Sequence, residues 1–163
     1  MIGVLLVDDD PLTLELHRAH IERVDGFEVV GECAGANAAV AAILDRGAAA
    51  ATADLVLLDV TMPDGSGLDV LRHIRARGSE VDVIAITGVR DADTVHKMAA
   101  LGVTHYLVKP FAFATLRERL DQVREYRERS AAAAGEATQA EIDALLRSSL
   151  PTVAAPPPKG LSP

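Results

Sequence analysis

A chain of 163 residues, 49% apolar and with a formal charge of −8, has the length of one domain plus an extension and enough apolar content for a sizeable core. The charge repels a phosphate backbone, and with 3% aromatic residues and no tryptophan there is no platform for stacking bases, so this segment is not expected to bind nucleic acid by itself. Cys33 is the single cysteine, which excludes an internal disulfide and reads as a core residue in a reducing cytoplasm; neither the acidic start MIGVLLVDDD nor any other stretch suits a signal peptide or a membrane span.

Residues 2–7 form a continuous apolar strand closed by Asp8-Asp9-Asp10-Pro11. Asp10 before Pro11 predicts an N-capped helix with proline at its first position. That helix runs to about Val24, with Leu12, Leu16, Ala19 and Val24 expected to face inward and His17 and His20 to face solvent. Residues 27–34 (FEVVGECA) carry glutamates, as an edge strand does, and residues 36–44 form the second helix. The run LVLL at 55–58 is too short for a buried helix and suits a buried parallel strand, which Asp59 ends before the backbone break Met62-Pro63-Asp64-Gly65. A helix over 68–77 follows, ending near Gly78. The strand at 81–86 stops at Thr87-Gly88, and a short helix over 91–101 precedes Gly102. A fifth strand over 103–108 stops at Lys109-Pro110, and a long helix over 112–129 places Leu116, Leu120 and Val123 on one face. Five strands alternating with five helices predict an α/β fold: a doubly wound parallel sheet with right-handed crossovers and helices on both faces.

Parallel topology puts Asp8, Asp9, Asp59, Thr87 and Lys109 on one rim, the side of an open sheet where ligands bind. Clustered carboxylates repel one another unless a cation balances them. Mg²⁺ suits the pattern, because it takes one or two carboxylates together with waters and a phosphoryl oxygen. Asp59 is then the nucleophile toward phosphorus, Lys109 neutralises one phosphoryl oxygen and the Thr87 hydroxyl bonds another. Singly, each residue also has an ordinary reading as a loop charge or a cap; their joint placement favours the site.

VDDDP, LLDVTMPDGSGLDV, AIT and YLVKPF, in that order, resemble the receiver domain of two-component response regulators over residues 1–126. The resemblance implies a flavodoxin-like five-stranded sheet in the order 2-1-3-4-5. It implies phosphorylation of Asp59 by a sensor histidine kinase, with Mg²⁺ held by Asp8, Asp9, Asp59 and the backbone carbonyl of Thr61. Thr87 becomes the switch threonine, Lys109 the conserved lysine before a cis proline bond, and Tyr106 the family's rotating aromatic. Without the resemblance, Tyr106 and Phe111 read as ordinary edge-strand core residues, while His96 and His105, near the implied switch, are placed to modulate partners. Two alternatives, one an enzyme and one a nucleotide-binding fold, fit less well. A phosphatase with an aspartate nucleophile resembling the haloacid dehalogenases needs a second aspartate at position 61, where Thr61 stands, and a nucleotide-binding fold needs a glycine-rich phosphate loop after the first strand. No separate substrate is therefore expected to be turned over.

The expected organisation is a receiver domain over 1–129, a helical extension over 130–149 and a proline-rich linker over 150–163. Thr138 and Glu141 have capping-box spacing before Ile142, Leu145 and Leu146, which are expected to form a homodimer seam with the long helix. The terminal LP…PPPKGLSP resembles the lead-in to the helix-turn-helix domain of citrate- and dicarboxylate-sensing transcriptional regulators of the CitB/DcuR type. That implies DNA contact only through an output domain absent from this chain; the alternative is a stand-alone receiver acting through protein contacts.

Overall fold

The computed structural model describes residues 1–45, 53–88, 91–132, 142–144 and 146–147. Five parallel strands carry the architecture: β1 (Ile2–Val7), β2 (Phe27–Cys33), β3 (Leu55–Asp59), β6 (Asp82–Thr87) and β7 (His105–Val108), ordered β2-β1-β3-β6-β7. This is the expected 2-1-3-4-5 order, because β4 (Thr61–Met62) and β5 (Gly65–Ser66) form a separate antiparallel pair between β3 and the following helix. The central strands read as unbroken apolar runs because both of their faces are covered.

Alternate residues of those strands feed two cores. Leu5, Val7, Val56, Leu58, Val83 and Ala85 pack beneath α2 (Ala36–Leu44), α3 (Gly67–Ala76) and α4 (Ala92–Ala100). Val4, Leu6, Leu55, Leu57, Ile84 and Ile86 pack beneath α1 (Pro11–Glu22) and α5 (Phe113–Ala132), where Leu116, Leu120 and Val123 are buried as expected. Truncating any of these leucines to alanine typically costs about 2–5 kcal/mol. At the rim opposite the strand ends that carry the candidate site, Arg127 of α5 pairs with Asp54 at 3.2 Å and Asp82 at 3.5 Å, tying the helix to the starts of β3 and β6.

Helix α1 departs from the expected phase. Asp10 caps it, accepting from the Leu12 amide, and Pro11 opens it as anticipated. That start sends Leu14, His17, Ile21 and Val24 inward and leaves Leu12 75% and Leu16 53% exposed, with Ala19 exposed as well. The inward row has the 3- and 4-residue spacing of a helix face, but it runs through a histidine. The expectation of solvent-facing histidines therefore fails at His17, which is buried beside the Phe111 ring at a centroid distance of 6.0 Å. His20 is half-buried against Phe113. Elsewhere the differences are at element ends: α3 starts at Gly67 rather than 68 because Ser66 and Asp69 form a capping box, and β7 begins at His105 rather than 103. Gly78, at φ +90°, follows the C-cap of α3, as expected.

Helix α5 runs three residues beyond the expected boundary at 129. Ile142 and Leu146 lie in helical turns and are 40% and 57% exposed. The Thr138–Glu141 capping box, Leu145 and the proline-rich segment over 150–163 fall outside the described residues.

Burial pushes the pKa of His17 down to about 4. The folded protein holds the ring neutral, whereas an unfolded chain protonates it below about pH 6.5. Its contribution to stability is complete above that value and is lost as the pH falls toward 4. In urea unfolding, His17→Leu should flatten the decline of stability between pH 6.5 and pH 4, by up to about 1.4 kcal/mol per pH unit. Equal slopes for variant and wild type would contradict this burial.

Candidate functional site

Asp8, Asp9, Asp59, Thr87 and Lys109 reach the C-terminal rim from the ends of four strands. Asp8 follows β1 and is buried, and its Oδ1 accepts from the Asp10 amide at 2.9 Å. Asp9 is exposed beside it. Asp59 is the last residue of β3 and is 6% exposed. Thr87 ends β6, buried, and Lys109 follows β7 across a cis peptide bond to Pro110.

Carboxylate oxygens of Asp8, Asp9 and Asp59 lie within 4.8 Å of one another. An octahedral Mg²⁺ with bonds of 2.0–2.1 Å separates its ligand atoms by about 3 to 4 Å, so small side-chain adjustments let this hard oxygen set hold it. Among the described residues, this is the one cluster of metal-type side chains found. Lys109 Nζ stands 3.3 Å from Asp8 Oδ2 and 3.9 Å from Asp59 Oδ1. One lysine against three carboxylates leaves a local excess of negative charge, which a divalent cation would complete. Thr61 is exposed at the start of β4, and its amide donates to Asp59 Oδ1 at 3.4 Å.

Burial, with the Asp8 charge adding to it and Lys109 opposing it, pushes the pKa of Asp59 up to about 6. Tyr106 on β7 is half-buried against the core of α2, α3 and α4, and its hydroxyl hydrogen-bonds the Thr87 side chain. Burial raises its pKa. The structure thus brings together Asp8, Asp9, Asp59 and Lys109, and joins Thr87 to Tyr106. His96 is exposed and His105 half-buried, where burial pushes its pKa down to about 4.

Two residues at this site, Gly67 and Asp64, have roles that the sequence pattern does not assign. A Cβ at Gly67 would stand 2.6 Å from the Asp59 carbonyl oxygen and 2.9 Å from Val60 Cα, and the Gly67 amide donates to the Val60 carbonyl at 2.7 Å. Only glycine lets α3 begin directly against the backbone that carries Asp59. Asp64, at the tip of the β4–β5 pair, accepts from the Ala36 amide at 2.7 Å and the Asn37 amide at 3.1 Å. No local pattern signals a partner 28 residues away.

The sequence profile of the response regulator receiver domain matches residues 4–121. The chain belongs to that family. The probable C4-dicarboxylate response regulator DctR of Priestia megaterium is 35% identical to this receiver over 159 residues, 98% of the chain and 67% of that protein. The transcriptional regulatory protein MalR of Bacillus subtilis (strain 168) is 35% identical over 124 residues, covering 76% and 51%. The chain therefore spans about half to two-thirds of the length of these curated relatives. Among solved structures, the CheX-CheY-BeF3-Mg+2 complex from Borrelia burgdorferi contains a chain that is 26% identical, with a TM-score of 0.68, covering 75% of this chain and 88% of that one.

For an acid whose pKa is raised by folding, the contribution to stability is complete below the unfolded value near 3.8 and is lost as the pH rises through about 6. With divalent ions chelated, Asp59→Asn should therefore be more stable than the wild type at pH 7, by on the order of 2 kcal/mol, with the gap closing below about pH 4. Denaturant midpoints across that range measure it, and coincident curves would contradict the raised pKa of Asp59.

Proposed function

We propose that this receiver is the phospho-acceptor switch of a two-component transcriptional regulator, with Asp59 as its only acceptor. The observation that carries the reading is the buried Asp59 at the end of β3, flanked by two carboxylates and one lysine. An Asp59 oxygen attacks phosphorus, the bond from phosphorus to the histidine nitrogen of the sensor kinase breaks, and an acyl phosphate forms. The kinase histidine retains the electron pair. Lys109 balances charge on one phosphoryl oxygen, and the Thr87 hydroxyl donates to another. Mg²⁺, held by Asp8, Asp9, Asp59 and the Thr61 carbonyl, would supply the remaining positive charge that phosphoryl transfer requires. Support for Mg²⁺ at this rim comes from the carboxylate spacing and from the presence of Mg²⁺ in the CheX-CheY-BeF3-Mg+2 complex.

Drawing the Thr87 hydroxyl toward the phosphoryl group removes a hydrogen-bond partner from Tyr106, so the surface of α4, β7 and α5 repacks as a biased two-state equilibrium. Output to DNA passes through a domain outside this chain, and the names of the DctR and MalR relatives support control of transcription. Exposed Ile142 and Leu146 support a homodimer contact in the extension. The protein acts in the cytoplasm and turns over no separate substrate.

The test is the intact mass of the full chain after treatment with acetyl phosphate and Mg²⁺. One phosphoryl group is expected on the wild type, and none on Asp59→Asn or in excess chelator. Labelling that persists in either control would refute the assignment.

A further inference from the structure

We propose that Asp64 is a positioning residue: by clamping the first amides of α2, it fixes where the loop carrying Asp59 and Thr61 stands relative to Asp8. The inference rests on the reading of Asp8, Asp9 and Asp59 as a Mg²⁺ site.

The loop over 59–67 is secured at its base by the Val60 amide donating to the Ile86 carbonyl at 3.1 Å and the Gly67 amide donating to Val60. Its outer half is a two-rung antiparallel pair, Thr61 with Ser66 and Met62 with Gly65, so Pro63 and Asp64 form the tip. A pair that short does not hold itself in water. Met62 gives it one anchor by packing into the core, and the Asp64 carboxylate gives it the second.

Helix α2 is built to receive that anchor. Its N-cap is Gly35, which has no side chain to offer, so the capping role falls to Asp64 from another loop. The vacancy is specific. A Cβ at Gly35 would stand 3.0 Å from both Asp64 carboxylate oxygens, so a local cap and the distant clamp compete for one space. Gly35 has φ −163°, extended backbone that any residue adopts, which leaves room for the Asp64 carboxylate as the reason for glycine there. Accepting two backbone amides also holds the Asp64 carboxyl below the usual carboxylate range.

The clamp bears on the metal ligands because α2 starts next to the strand end that carries Asp8. The carbonyl of Cys33, the last residue of β2, accepts the Asp8 amide at 3.0 Å, and α2 begins three residues later at Ala36. Asp64 therefore closes a bridge between the two segments that would share the ion: β1 with Asp8 and Asp9, and the β3 loop with Asp59 and Thr61. Mg²⁺ demands near-ideal octahedral geometry, so small displacements of one ligand loop weaken binding.

A cap swap separates positioning from simple helix capping. Asp64→Ala removes both roles, and Gly35→Asp added to it restores a cap within α2 but leaves the loop untethered. In thermal unfolding of the full chain, the double variant should recover stability lost by Asp64→Ala. In titration calorimetry with MgCl₂ alone, both variants should bind Mg²⁺ about 10-fold more weakly than the wild type, the size of loss seen when a supporting contact behind metal ligands is removed. Acetyl phosphate labelling should then need about 10-fold more Mg²⁺ while reaching the wild-type rate at saturation. A double variant with wild-type Mg²⁺ affinity would overturn the inference and leave Asp64 a helix cap only. Wild-type protein that binds no Mg²⁺ would instead overturn the site itself, and the positioning role with it.

Discussion

Lys109 reaching between Asp8 and Asp59 is the contact on which the rest of this receiver depends. The fold places two buried carboxylates and one exposed carboxylate within a few ångströms, a cost that few protein sites accept without a purpose. A single half-buried ammonium relieves part of it. What remains is an excess of negative charge that a divalent cation is suited to balance. Burial first, and the Asp8 charge second, raise the pKa of Asp59 at the end of β3.

Lys109 also links that rim to the surface where a signal would leave. Its amide donates to the Thr87 carbonyl at 2.8 Å, and the Thr87 side chain bonds Tyr106, so the strand ends of β6 and β7 form one connected path. Helix α5 lies beyond β7 and is held at its far end by Arg127 against Asp54 and Asp82. Those ion pairs are roughly a third exposed, so each contributes little stability. Their use is geometric, since they fix the distal half of the 20-residue helix α5 against the sheet.

The sheet order and the rim were legible because apolar runs ending in a charged or hydroxyl residue carry both strand and site in the same letters, as LVLLD and DVIAIT do. Helix α1 was misread where its stripe passes through His17: pattern reading favours Leu12 and Leu16 for the core, yet the cap at Asp10 fixes the helical phase and turns them outward. Asp64 and Gly35 were illegible for a different reason. Their meaning lies in a contact across 28 residues, which neither local propensity nor periodicity encodes. The glycine at position 67 is explained by the Asp59 carbonyl that an added side chain would meet, a contact of the folded backbone that local pattern does not encode.

The most direct measurement is thermal or urea unfolding of the full chain as Mg²⁺ is added. A ligand that binds only the folded state stabilises by mass action, about 1.4 kcal/mol at ten times its dissociation constant. Because Asp9 is exposed, Asp9→Ala should fold normally while losing a ligand. The account predicts a midpoint that climbs with Mg²⁺ in the wild type and stays nearly flat in Asp9→Ala. A wild-type midpoint indifferent to Mg²⁺, or an equal climb in both proteins, would contradict it.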